Sequence, residues 1–295
     1  MKNQVALLGV FLICAVPVVA QTSALPPLVE PASAEHHAGK MIWADLATPD
    51  LAAAKRFYSG LFGWTFRDVR LHKTDYAVAL LGNRPVAGLF QRPVPSGEHR
   101  PAWLTFIAVG DVDTATRTAV EHGAKVVHEP RTFAPRGRQA TFTDPEGAAF
   151  GVLASASGDP GDFLAAPGDW IWSSLLAGDP SAEAAFYQTL FGYDVFDLPT
   201  DDGLEHEILS TDDYARASVN HFPKDSSRRR THWISYVRVV DAADAAAKAV
   251  ALGGRVVVEP HVDRYGGRLA LVADPAGALV GLMEWSDADG QKEPK

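Results

Sequence analysis

Apolar positions change rhythm several times along the first half of this chain. Ile42 to Ala47 reads as a strand. Leu51, Ala54, Phe57, Tyr58, Leu61 and Phe62 then recur at i, i+3, i+4, i+7 spacing, which places them on one face of a helix. Thr48 suits the cap of that helix, with Pro49 at its first position. Gly63 suits its end, because glycine accepts the left-handed conformation at low cost. Strand-like stretches follow at Tyr76 to Leu81 and Pro85 to Phe90. The rhythm then restarts, with Leu104 to Val109 as a strand and a helix from Asp111 to Gly123. Lys125 to His128 and Gln139 to Thr143 are strands, and Asp144-Pro145-Glu146-Gly147 is a type I turn before Ala149 to Leu153. The pattern is β-α-β-β-β written twice, with Phe57, Leu61 and Phe62 as core anchors.

The same pattern returns in the second half. "FYSGLFGW" (57–64) recurs as "FYQTLFGY" (186–193), and "MIWADLATPD" (41–50) as "WIWSSLLAGD" (170–179), both 129 positions on. "EHGAKVVHEP" (121–130) recurs as "ALGGRVVVEP" (251–260), and "TDPEGAAFGVL" (143–153) as "ADPAGALVGLM" (273–283), both 130 on. A repeat of this kind precedes every residue-level reading. It predicts two copies, 40–153 and 170–285, each of two modules. The Gly, Pro, Ser and Asp of 154–169 give a linker.

Composition and charge narrow the partners. With 295 residues, 47% hydrophobic, the chain has length for two domains with real cores. A net charge of −9 argues against nucleic acid, which leaves a basic footprint. Arg228-Arg229-Arg230 is the local exception, read as a solvated loop or an anion site. Lys2 followed by the apolar run Val5 to Ala20, ending in small residues, reads as a signal peptide over 1–20, removed in the mature protein. The protein is thus expected to be exported, periplasmic or secreted. An uncleaved anchor fits less well, because the run is short for a bilayer. A lipoprotein fits less well because Ile13 precedes Cys14, the only cysteine. The mature chain then has no thiol, no disulfide and no stable membrane span. Residues 21–39, rich in Pro, Ala and Ser, are expected to be a flexible lead-in, and 286–295 a polar tail.

A strand, an Asp-x(5–6)-FYxxLFGW helix, a second strand-helix ending in Gly, and a closing DPxG turn together resemble the vicinal-oxygen-chelate superfamily. Glyoxalase I, bleomycin-resistance proteins and extradiol dioxygenases belong to it. The likeness spans about 41 to 285 and points to its tandem glyoxalase-like branch. It implies an α+β fold: two tandem domains, each a cupped mixed sheet built from two βαβββ modules, with helices outside, packed as a pseudo-dimer within one chain. Function does not travel with such a scaffold.

The resemblance also implies where a divalent metal would be held. Counting from the helix-opening Asp50, Asp111, Asp179 and Asp241 and the turn residues Asp144 and Asp274, the ligand positions hold Trp43, Leu104, Gly151, Trp172, Ile234 and Gly281. None binds a cation, so no cofactor is expected. A displaced metal would have to use His221, His232 and Glu284. In the metal's place stand aromatic and polar groups: Trp43, Phe106, Trp172, Ser174 and Tyr236 in the groove, with Arg138 and Arg268 matched across the repeat as carboxylate or phosphate binders, unless protein carboxylates claim them. Asp45, replaced by Ser174 in copy two, is the candidate for acid–base work. The Trp rings either wall an open pocket or fill the empty metal cavity as core. No nucleophile–His–Asp set, phosphate loop or helical His pair is present. The expected function is binding of a small apolar or planar molecule without metal. The alternatives are a glyoxalase-like or dioxygenase-like enzyme with displaced metal or metal-free acid–base chemistry, and a structural role.

Overall fold

The computed structural model describes residues 24–71, 74–93, 101–199, 204–223, 230–262 and 267–285. The expected signal peptide, Cys14, Arg228, Arg229 and the 286–295 tail lie outside these residues. Copy one contains β1 (Met41–Thr48), α1 (Leu51–Phe62), β2 (Thr65–Leu71), β3 (Thr74–Leu81), β4 (Arg84–Gln91), β5 (Ala102–Ala108), α2 (Val112–Glu121), β6 (Lys125–Phe133), β7 (Gly137–Thr143) and β8 (Ala149–Ser155). Copy two repeats them as β9 (Trp170–Ala177), α3 (Pro180–Phe191), β10 (Asp194–Asp197), β11 (His206–Thr211), β12 (Tyr214–His221), β13 (His232–Val239), α4 (Ala242–Ala251), β14 (Arg255–Val262), β15 (Arg268–Ala273) and β16 (Leu279–Glu284). Each copy forms one eight-stranded mixed sheet, ordered β2-β3-β4-β1-β5-β8-β7-β6 and β10-β11-β12-β9-β13-β16-β15-β14. The first strands of a copy's two modules meet antiparallel at its centre, β1 on β5 and β9 on β13, and each runs parallel to the last strand of its own module.

The helix starts correct one expectation. Asp50, not Thr48, caps α1: its carboxylate accepts the Ala53 amide at 2.8 Å. Asp111, Asp179 and Asp241 cap the other helices in the same way, satisfying an amide that has no partner inside the first turn. Gly63 and Gly192 close α1 and α3 with φ of 74° and 73°, the left-handed values the repeated phrase calls for.

Strand parity sorts the side chains. In copy one, Ala44, Leu46, Ala77, Ala79, Ala87 and Leu89 face the helices, while Trp43, Tyr76, Val78 and Phe106 face the concave side. The convex faces of the two sheets lie back to back, so each core is shared. One joins α1 and Trp64 to Val237, Val239, Val272, Val280 and α4 of copy two. The other joins α2, Phe142 and Phe150 to α3, Leu175 and Val219. Phe57 and Phe186 are both buried, each edge-on to the following tyrosine. The repeated phrase therefore packs its helix against a shared core twice. The hydroxyl of Tyr58 donates to Asp274 of the other copy while accepting from the Trp103 indole. Tyr187, Asp144 and Trp233 form the same triad across the seam. Thr105 and Ser235 hydroxyls meet at 2.9 Å where the sheets touch.

Candidate functional site

Copy one's groove is filled. Trp43 is 2% exposed, and its indole N–H donates to Asp45 Oδ1 at 2.8 Å. Tyr76 donates to the same oxygen at 2.7 Å. The guanidinium of Arg136, fully buried, lies 4.1 Å over the Trp43 ring and donates to Tyr76 Oη and the Pro26 carbonyl. Desolvation and the neighbouring carboxylate raise the Tyr76 phenol far above its ordinary value despite Arg136, so it remains a donor. Residues 24–39 complete the seal and are not the flexible lead-in expected. Leu25 and Leu28 are buried against Trp43, Tyr76 and Phe106, and the Leu28 and Val29 amides both donate to Ser157 Oγ. Gly88 makes room for the Asp45–Tyr76 contact, since a Cβ there would lie 1.8 Å from Tyr76 Oη and 2.1 Å from Asp45 Oδ1.

Copy two differs at each of these positions. Trp172 is half-buried, and its indole donates to Ser218 Oγ at 3.1 Å. Ser218 and Ser174 hydroxyls meet at 2.9 Å, Asn220 Nδ2 donates to Ser218 at 2.9 Å, and His206 Nδ1 pairs with Asn220 Oδ1. Tyr236 lies across from Trp172 on β13, and burial raises its phenol to about 12. Beside Trp172 opens a cavity of about 680 Å³, between the linker and the starts of β9 and β12, with Phe163, Leu164, Trp170, Tyr214 and Trp285 in its wall. Its cations are spent on the protein. Lys40 Nζ donates to the Pro160 and Gly161 carbonyls and to Asp162. Arg216 grips Asp162 with two nitrogens and Thr211 with its third. Burial pushes the Asp162 carboxyl up, but Arg216 and Lys40 outweigh it and hold it at about 2.

Two expected ligand-binding residues are misplaced. Arg138 shares parity with Ala140 and Phe142, on the helix face, and both its outer nitrogen and Nε bind Asp113 of α2. Arg268 shares parity with Ala270 and Val272, also on the helix face, and is exposed. Neither enters a groove. The fallback metal set does not converge either. Glu284 is on the helix face, capping α4 through the Ala242 amide, while His232 shares the groove face with Tyr236. His221 stands at the end of β12, its Nδ1 on the Phe222 carbonyl.

The family's own ligand positions do not fit a cation. Phe106 lies over Gly151, where a Cβ would sit 2.4 Å from the ring, and Tyr236 lies over Gly281, where it would sit 2.1 Å away. A carboxylate side chain cannot be seated at either without moving an aromatic ring. Among the described residues, no three His, Asp or Glu side chains are grouped to hold a metal ion.

Arg136, Tyr76, Gly88 and Ser218 were not singled out by their sequence pattern. A signal for them existed in the mismatches of the repeat: Arg136 aligns with Gly266, Phe106 with Tyr236 and Asp45 with Ser174. Matched positions carry the fold, and unmatched ones carry what differs between the grooves.

Residues 36–152 match the Glyoxalase/Bleomycin resistance protein/Dioxygenase superfamily, and 173–283 match a glyoxalase-like domain. CFP32 of Mycobacterium bovis, which is named as a glyoxylase, is 32% identical over 86% of this chain and 98% of its own length. The anthracycline biosynthesis protein DauV of Streptomyces sp. strain C5 is 30% identical over 85% of this chain and 94% of its own. In fold, the Mn(II)-bound glyoxalase of Novosphingobium aromaticivorans matches with a TM-score of 0.59 at 17% identity, over 84% of this chain and 83% of that one. The 2,2',3-trihydroxybiphenyl 1,2-dioxygenase of Sphingomonas wittichii matches at 0.58 and 13%, over 84% and 91%. With both halves matched and relatives aligned from end to end, the chain belongs to the Glyoxalase/Bleomycin resistance protein/Dioxygenase superfamily, as a tandem of two such domains.

Proposed function

We propose that this chain is an exported superfamily member that binds a small, flat, largely apolar molecule in copy two, without a metal such as the Mn(II) bound by the Novosphingobium aromaticivorans glyoxalase. The observation that supports this most is the asymmetry of the grooves. In copy one Leu25, Leu28 and Arg136 occupy the space over Trp43, while in copy two the face of Trp172 borders a cavity of about 680 Å³. That volume lies within the range of small-molecule pockets. Because the lining cations are paired with Asp162 and backbone carbonyls, the surface offered to a ligand is mainly aromatic. The relatives named for anthracycline biosynthesis fit a ligand with a fused-ring skeleton. Fluorene, a neutral flat hydrocarbon, should bind the purified mature protein with micromolar affinity and quench tryptophan fluorescence, and Trp172→Ala should abolish this. Elemental analysis of the same sample should find no stoichiometric divalent metal, and N-terminal sequencing should start near Gln21. Absence of fluorene binding, or a tightly held metal whose removal lowers the melting temperature, defeats the reading.

A second reading, a glyoxalase-like or dioxygenase-like enzyme, draws on copy one. Asp45, Tyr76 and Arg136 form a buried polar cluster that packing alone does not require. Its chemistry would be metal-free proton transfer at Asp45. Substrate could reach Asp45 only if 24–39 moved aside, so activity should rise when Leu25 and Leu28 are both replaced by Ala.

A further inference from the structure

Segment 24–39 covers copy one's groove as a ligand would. Arg136 is fully buried, and a guanidinium carries five N–H donors. Nη1 donates to Tyr76 Oη at 3.3 Å, and Nε to the Pro26 carbonyl at 3.1 Å. Nη2 is buried without a hydrogen-bond partner among the described residues. Nε and Nη2 form one edge of the guanidinium, the fork that a carboxylate grips with both oxygens. Here the fork meets a single carbonyl oxygen and is half filled. Asp45 is joined to Arg136 through Tyr76, whose hydroxyl bonds both, and makes no ion pair with it. A buried cation left this short of partners is costly. The scaffold does not demand it, since copy two has Gly266 at the matching position. The covering segment is lightly held at its front. Leu28 and Val29 are pinned by Ser157 Oγ, and Ser33 by the Ser157 carbonyl. Ahead of that anchor, residues 24–27 make one hydrogen bond among the described residues, the one from Arg136. Pro26 and Pro27 have no N–H to offer. A segment with so few bonds opens more readily than the sheet beneath it.

We propose that copy one holds a second binding site, for a small apolar carboxylate, which residues 24–27 occupy in the chain's own ligand-free state. Leu25, packed with Trp43, Tyr76 and Phe106, takes the place of the ligand's apolar body. The Pro26 carbonyl takes the place of one carboxylate oxygen, and the second oxygen would satisfy Nη2. A ligand enters by displacing the front end, while the Ser157 anchor keeps the rest of the segment seated. The site is independent of the cavity in copy two and of any reaction at Asp45. Because the chain competes for its own groove, the apparent affinity is lowered by the small fraction of open molecules. A site built to hydrogen-bond one ligand group rejects an analogue lacking it more strongly than shape alone does.

Benzoate and benzamide test this as a matched pair. They share one ring, but benzamide offers a single acceptor oxygen and no charge, as the Pro26 carbonyl does. Leu25→Ala weakens the chain's own hold on the groove and leaves Arg136 in place. That variant should bind benzoate about tenfold more tightly than wild type does, and about tenfold more tightly than it binds benzamide. Arg136→Lys in the same background keeps the charge but removes the fork, and should bring benzoate to within about twofold of benzamide. In wild type, saturating benzoate should speed limited proteolysis within 24–39 about tenfold, because the ligand expels the front end, while benzamide should not. Fluorene binding in copy two should be the same throughout, and its failure would leave this site untouched. Equal binding of the two probes by Leu25→Ala overturns the proposal, as does a benzoate preference that survives Arg136→Lys. Benzoate that leaves cutting within 24–39 unchanged, or slows it, overturns it too. If the lysine variant does not unfold cooperatively on heating, the wild-type proteolysis decides alone.

Discussion

Trp43 and Trp172 occupy one position of the repeat and lead different lives. The first is covered by Arg136, Leu25 and Leu28, and the second borders open space. Trp43→Ala should therefore cost about 3–5 kcal/mol in chemical denaturation, the range for deleting a buried aromatic. Trp172→Ala should cost well under half as much and act on binding. Sequence alone could place both indoles on the concave face, because alternation from Leu46 and Leu175 fixes it. It could not tell wall from core, because the residues that decide are remote: Leu25 and Leu28 from the lead-in, and Arg136 from the β6–β7 turn. The same parity rule, applied from Phe142 and Val272, would have kept Arg138 and Arg268 out of the groove. Matching across the repeat outweighed it.

Helices were the most legible elements, since four Asp caps and two closing glycines sit at fixed offsets. Edge strands were the least. β2 and β10 are largely exposed and polar, so no alternation marks them, and their existence follows from pairing with β3 and β11. Segment 24–39 carries no legible signal for a related reason: its apolar anchors are two leucines among prolines, too sparse for a periodic pattern. Ordered by the Ser157 hydroxyl and by Arg136 on the Pro26 carbonyl, it behaves as a strap on copy one. Leu28→Asp should free the strap, since an unpaired carboxylate cannot stay buried there. Limited proteolysis should then cut within 24–39 at least tenfold faster, while fluorene binding in copy two is unchanged.

At the scale of the whole molecule, the seam between copies contains an uneven charge. Glu183 of α3, whose counterpart in copy one is Ala54, is buried beside Asp144, and Oε2 has no hydrogen-bond partner among the described residues. Burial first, then repulsion from Asp144, pushes its carboxyl up to about 8. The folded state therefore holds a proton that the unfolded chain, with an ordinary carboxyl near 4.5, releases. Stability is fully present below the unfolded value and is lost as pH rises toward 8 and past it. Glu183→Gln should flatten the fall in melting temperature between pH 5 and pH 9 and raise it at pH 9.

The shared cores also set a schedule for synthesis. Phe57 and Tyr58 leave the ribosome early, yet Val237, Val272 and Asp274, which enclose them, are encoded about 180 to 217 residues later. At roughly 5–20 residues per second, the first copy waits on the order of 10–40 s with its helix face uncovered. A chain that cannot close its core until nearly complete stays pliable enough to be threaded through a narrow pore, and offers chaperones a long interval in which to hold it. Ribosome-bound chains arrested at residue 170 should thus be digested by protease within seconds, and those arrested with residue 285 clear of the exit tunnel should resist.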